Sequence, residues 1–254
     1  MTTYRAILTL FIICILLLIT SGLQHPLWLW VIATLAVLCI AFIFAGTKII
    51  SLNFFLESIS RGPKNEKAIA LTFDDGPDTY TEDILSILKS YDVQAAFFCV
   101  GSKALKKPQT LKKIHREGHL IGNHSYSHSF GFDFSSSKTM AIEIETTNLI
   151  IEKLTSARTH FFRPPYGVTN PPLSRAVKKT NMMSIGWTVR SGDTFIKSRS
   201  KILKRLKRGL KPGAIFLFHD SKKAAVDVLP SFIDYVYQNN YSIKRLDNLI
   251  SNAP

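Results

Sequence analysis

Cysteine is scarce in this chain of 254 residues, with only Cys14, Cys39 and Cys99 present. Three thiols, two of them inside apolar runs, exclude a disulfide framework, and no redox compartment follows from them. Acid is also in short supply, 18 Asp and Glu against 32 Lys and Arg, which leaves a formal net charge of +14. Charged residues make up 20% of the chain while hydrophobic ones reach 46%, a balance that excludes a disordered, collagenous or low-complexity protein. No internal repeat is visible. The apolar excess is concentrated in the first fifty positions.

Residues 6–19 are apolar except for Thr9; after a polar break holding Gly22, His25 and Pro26, residues 27–46 carry no formal charge. The second run has roughly the 20 residues needed to cross a bilayer, and the first reaches that length when 20–23 are counted. Two such runs predict a two-helix transmembrane hairpin (about 6–23 and 27–46) within residues 1–50, with Trp28 and Trp30 at the interface. One rival reading is a cleaved signal peptide behind Arg5, although Thr20-Ser21-Gly22 makes a poor cleavage site. Another is a buried soluble hairpin. Arg5, Lys48, Arg61, Lys64 and Lys67 flank the apolar runs. Taken alone, they put the N-terminus and the rest of the chain in the cytoplasm, a small bias that leaves the side of the membrane open.

Residues 51–65 read as a linker and 66–254 as one domain. Seven short strand candidates follow, at 68–73, 93–100, 119–122, 160–162, 182–187, 214–218 and 242–244. Helical spacing appears between many of them, at 81–91, 139–154 and 196–210. Strands alternating with helices predict an α/β fold with parallel strands, open or closed into a barrel. Asp74-Asp75, His124, Arg163, Asp193 and His219-Asp220 each follow or end a strand candidate. In β/α barrels that end of the strands is where chemistry is built, and five segments delivering ionisable groups to one rim exceed what chance supplies.

A lone pair of histidines four apart, His124 and His128, is more often two satisfied side chains than a ligand pair, though a helical turn would face both one way. Asp-Asp-Gly-Pro at 74–77 is by itself a turn sequence. Together they offer two imidazoles and a carboxylate, a donor set that suits a divalent metal with open positions.

Four stretches, Thr72-Phe73-Asp74-Asp75-Gly76-Pro77, His124-Ser125-Tyr126-Ser127-His128, Arg163-Pro164-Pro165-Tyr166 and Leu217-Phe218-His219, resemble motifs of the polysaccharide deacetylases, the NodB-homology enzymes of carbohydrate esterase family 4. The resemblance covers roughly residues 66–250. It implies a distorted (β/α)7 barrel and metal-dependent hydrolysis of N-acetyl groups on amino sugars. By position it makes Asp75, His124 and His128 the ligands of one divalent ion, Zn2+ in most of the family with Co2+ or Ni2+ able to serve. It makes Asp74 the general base, Arg163 the group that orients it, and the Tyr166 backbone N–H an oxyanion donor. His219 becomes the general acid, Asp193 its carboxylate partner, and Leu217 a wall of the acetyl pocket. Without the resemblance, Leu217 reads equally well as plain core. The fourth motif departs: in Trp187-Thr188-Val189-Arg190-Ser191-Gly192-Asp193-Thr194, Arg190 stands where many relatives have an acid and Thr194 where they have tryptophan. That difference falls on the groove wall.

The expected activity is therefore a membrane-anchored N-deacetylase of a cell-envelope polysaccharide or oligosaccharide, in a bacterial cell membrane. One alternative is deacetylation or deformylation of a lipid-linked amino sugar at the cytoplasmic leaflet. A catalytically inactive glycan-binding module is another. Between Lys197 and Lys211 the chain carries eight positive residues and no acid, a basic amphipathic helix read as a solvated barrel helix or as a face toward membrane lipid or an anionic glycan. No stacking aromatics accompany it, which argues against a nucleic-acid partner.

Overall fold

The computed structural model describes residues 3–20 and 27–251. Helices α1 (Thr3–Thr20) and α2 (Leu27–Lys48) pack against each other. The predicted break at 21–26 and the side chain of Trp28 lie outside the described residues. Among those residues, one segment, Leu29–Lys48, is long and apolar enough to cross a membrane; the apolar stretch of α1, Ala6–Leu17, is shorter. Both leave large apolar side chains uncovered, Leu17, Trp30, Val37 and Ile40 among them.

The remainder is built on a curled sheet in which every pair of strands is parallel. Its strands are β1 (Ser58–Ile59), β2 (Ala68–Gly76), β3 (Ala96–Cys99), β4 (Leu120–Asn123), β5 (Phe161–Phe162), β6 (Met183–Ile185), β7 (Val189–Arg190), β8 (Ile215–His219) and β9 (Ser242–Ile243). The order is β1-β6-β5-β4-β3-β2-β8-β7, with β9 added beside β2. This is a half-barrel whose path has two ends, rather than a closed barrel of seven strands. Short contacts bridge its open side: the Thr188 hydroxyl donates to the Ser60 carbonyl and Arg61 pairs with Ala214.

Helices α3 (Thr81–Ser90), α4 (Gly101–Lys106), α5 (Pro108–Arg116), α6 (Ser137–Thr155) and α7 (Pro171–Lys179) cover the first part of the sheet. Then α8 (Arg199–Arg208), α9 (Lys223–Gln238) and α10 (Leu246–Ile250) cover the rest. The two faces of the sheet divide the core by the period-two alternation of a strand. Ile69, Leu71 and Phe73 of β2 join Phe216 and Phe218 of β8 in the layer beneath α3 and α9, whereas Ala68, Ala70, Ala96 and Ile215 turn inward. Small residues low in the curl leave room for large polar ones at its upper end.

Residues 51–65, expected as a linker, are packed. They hold β1 and three buried apolar side chains, Phe54, Phe55 and Leu56. Strands β1 and β7, two residues each at the two ends of the sheet path, have no counterpart among the predicted elements. The basic segment forms α8, with Ile202 and Leu206 fully buried against the core and most of its cations outward.

Candidate active site

The site is assembled where β2 ends. Asp74 continues the inward face of that strand and is nearly buried, and an ordinary next residue would point the opposite way. Instead the register against β3 slips between Asp74 and Gly76, and Asp75 has φ 76°. A bulge of this kind re-aims a side chain, and here it brings both carboxylates to one side. Gly76 is required at the turn, since a Cβ there would collide with the Asp220 carboxylate.

The histidines come from the loop after β4. It is not helical: Ser125 and His128 both have positive φ, 63° and 49°. Local polar bonds hold this shape. The Asn123 side chain accepts from Ser125 N–H, and Ser125 Oγ accepts from His128 N–H. Glu143, reaching over from α6, accepts from the N–H groups of Tyr126 and Ser127 and from the Ser127 hydroxyl. The result places the two imidazole rings 4.8 Å apart, centre to centre.

His124 Nε2 lies 3.6 Å and His128 Nε2 3.4 Å from Asp75 Oδ1. Ligand atoms of all three residues fall within 4.8 Å of one another. The His124 ring donates from Nδ1 to the Arg163 carbonyl at 2.7 Å, which turns the Nε2 lone pair toward Asp75. Burial, with His124 beside it, pulls His128 down to about 4, so that ring is neutral at pH 7. Burial alone would raise Asp75, but hydrogen bonding and charge from His124, with His219 and His128, hold it well below the usual carboxylate range. Two imidazoles and a carboxylate form a donor set that fits a divalent cation.

Asp74 is oriented from below. Arg163, fully buried at the end of β5, donates from one guanidinium nitrogen to Asp74 Oδ1 and Thr72 Oγ1, each at 2.7 Å. It also donates to the carbonyls of Ile185 and Gly186 and lies 4.1 Å above the Phe98 ring. This fixes one carboxylate oxygen and leaves Oδ2 facing His124 Nε2 at 3.9 Å.

His219 stands at the end of β8, the register partner of Asp74 on the neighbouring strand. Asp193 accepts from its Nδ1 and from its backbone N–H, both at 2.8 Å. Burial would lower the imidazole, yet the Asp193 hydrogen bond and charge outweigh it and raise the His219 pKa. Leu217 sits one step lower as the partner of Thr72, buried but outside the apolar clusters that take its strand neighbours. Tyr166, at φ 56°, places its ring 4.7 Å from His128 and donates from its hydroxyl to the His128 carbonyl. Arg190 is on β7 at the end of the sheet path, 5.7 Å from the Phe195 ring. The structure thus brings Asp74, Asp75, His124, His128, Arg163, Tyr166, Asp193, Leu217 and His219 to one rim.

Sequence reasoning missed Glu143 and Thr72, whose partners lie far along the chain, and gave Asp220 no task. The Asp220 carboxyl is fully buried, accepts from the Thr81 hydroxyl at 2.6 Å, and is pushed up to about 7 by burial.

Comparison with known proteins adds independent findings. A family model described as polysaccharide deacetylase matches residues 61–185. A peptidoglycan-N-acetylglucosamine deacetylase of Bacillus cereus is 35% identical over 177 residues, covering 68% of this chain and 64% of that protein. The chain therefore spans somewhat less than two thirds of that relative. The crystal structure of the Bc1960 peptidoglycan N-acetylglucosamine deacetylase superposes with a TM-score of 0.73 at 31% identity, covering 77% of this chain and 94% of the other. BA3943 of Bacillus anthracis, described as a CE4 family pseudoenzyme, superposes with a TM-score of 0.71 at 29% identity, covering 76% and 68%.

Proposed function

This chain belongs to the polysaccharide deacetylase family, carbohydrate esterase family 4, and on that premise we propose that it is a membrane-anchored, metal-dependent N-deacetylase of peptidoglycan amino sugars. The observation that carries the reading is the convergence on one rim of three parts: the Asp75–His124–His128 donor set, Asp74 bonded to Arg163, and His219 bonded to Asp193. A glycan-binding module needs neither a held base nor a held acid.

In this reading Asp75, His124 and His128 hold one divalent ion, Zn2+ first and Co2+ or Ni2+ as substitutes. When bound, that ion polarises the amide carbonyl and lowers the pKa of water. Asp74, with Oδ1 fixed by Arg163, accepts on Oδ2 the proton of the water that attacks the acetyl carbon. The backbone N–H of Tyr166 donates to the oxygen that takes up negative charge. His219, whose protonated form Asp193 favours, gives its proton to the nitrogen as the C–N bond breaks, so a neutral amine and acetic acid depart, the latter ionising to acetate in water. Leu217 bounds the space for the acetyl methyl.

The anchor is α2 with α1 as its hairpin partner, which makes residues 1–50 a membrane unit and 66–254 the catalytic domain. The short connection and small charge bias also keep in view a lipid-linked amino sugar at the cytoplasmic leaflet. Two experiments decide. Purified full-length protein should release amine from N-acetylglucosamine oligomers or peptidoglycan fragments, with activity lost in chelator and in Asp74→Asn; unchanged activity in that variant removes the assigned base. Reporters fused after Pro254 should be active outside the cytoplasm. A cytoplasmic C-terminus excludes the wall polymer and directs the search to lipid-linked substrates.

A further inference from the structure

Among the large apolar side chains with described exposure, two stand out from the water-facing part of the molecule. Phe130 and Phe134 are 84% and 86% exposed, more than any such side chain on α1 or α2. They flank Phe132, which is buried against Met140, Ile144 and Phe162 and fastens the segment to the domain. A rigid turn that holds two aromatic rings out in water is costly unless something covers them.

The connections of this segment say what that is. Thr169 donates from its N–H to the Thr47 carbonyl and from its hydroxyl to the Gly46 carbonyl, at the last turn of α2. The next residue, Asn170, donates from its side chain to the Asp133 carbonyl at 2.7 Å. Lys48, closing α2, acts electrostatically on Asp133. A continuous chain of bonds therefore ties the end of the candidate span to the turn that carries Phe134. Further along the same ledge, Phe130 lies 6.5 Å from Tyr166, and Tyr166 lies 4.7 Å from His128. Ile49 and Leu52, just beyond α2, are exposed apolar side chains too.

We propose that the 130–134 turn is a membrane-contact ledge, on which Phe130 and Phe134 enter the headgroup region of the leaflet from which α2 emerges, so that the catalytic rim opens along the lipid surface. The inference rests on the anchoring proposed above. If Gly46 to Lys48 mark the end of the span, residues bonded to them sit at the depth where aromatic rings collect, about 5–10 Å into the boundary between headgroups and acyl chains. The occupant is the bilayer itself, because the ledge is continuous with the helix the bilayer surrounds.

The test uses the full chain in lipid nanodiscs, with a trifluoromethyl-phenylalanine placed singly at 130, at 134 or at 237. Tyr237 is a partly exposed control on α9, a helix that packs on α3 and α8. Lipids carrying a nitroxide high on the acyl chain should broaden the fluorine signals at 130 and 134 at least about threefold more than at 237, as expected for rings at interfacial depth. Protein that comigrates with nanodiscs while all three positions broaden equally overturns the ledge and leaves the anchor standing. Protein that fails to comigrate removes both. Signals at 130 and 134 that shift with N-acetylglucosamine oligomers but ignore the nitroxide also overturn the proposal, and make the rings a sugar platform.

Discussion

Arg163 heads the fully buried side chains by volume, and its guanidinium serves four acceptors: Thr72, Asp74, Ile185 and Gly186. Replacing it with Met leaves the Asp74 charge without a counterion and two carbonyls without donors. Arg163→Met should therefore cost about 3–5 kcal/mol of stability, read by chemical denaturation, as well as activity. The Asp193–His219 pair supports a different prediction. The raised His219 pKa keeps the acid form present to higher pH; removing the charge that raises it moves the alkaline limb of kcat/KM toward lower pH. In Asp193→Asn a pH–rate profile should show that shift together with a fall in kcat, whereas an unmoved limb would separate His219 from the proton donor. Asp74, Asp75, His124, Arg163, Asp193 and His219 were legible as ionisable groups at or just beyond strand ends, whereas Tyr166 and Leu217 came only through the resemblance to the polysaccharide deacetylases. Glu143 was not legible, since on α6 it looks like any surface acid and its partners are 16 and 17 positions away. Thr72 was hidden for a related reason, as its bond to Arg163 spans 91 positions.

At the level of elements, the loop after β4 shows that helical spacing need not mean a helix. Two histidines four apart would face one way on a helical turn, yet the loop reaches a similar convergence of rings through two left-handed residues and a clamp from α6. Deleting the clamp tests its role. Glu143→Ala should leave the fold intact and weaken metal affinity about 10–100-fold, measured against a chromophoric chelator, as for other groups that support ligating side chains. Alternation and apolar runs located seven strands, among them β5 and β9 with only two residues each. They passed over β1 and β7, the equally short strands at the two ends of the sheet path. Residues 51–65 resembled a linker because their cover comes from segments distant in the chain, although Phe54, Phe55 and Leu56 are buried. Nothing local in that stretch announces that α1 and α2 help to cover Phe54 and Phe55, while Leu56 packs with residues of α6 and α7.

For the whole molecule, that cover is the consequential joint. Tyr4 at the start of α1 lies 5.1 Å from Phe55, and Phe42 on α2 lies 5.6 Å from Phe54. A chain begun after Lys48 exposes these rings, and it should elute from size exclusion as oligomers or aggregate unless detergent replaces the helices. Tyr4 near the start of α1 and the last turn of α2 therefore meet the domain on one side. The charge bias in the sequence could not reveal this, because it concerns loops and not packing.

The bonds from Thr169 to Gly46 and Thr47 leave no slack between the apolar helices and the domain. An enzyme on a flexible stalk samples a volume, while one seated directly on its anchor sweeps a thin slab. For a domain of this size the slab is about 40 Å deep. On the anchoring and substrate proposed above, only glycan passing through that layer would be trimmed, so distance from the membrane would become part of substrate choice.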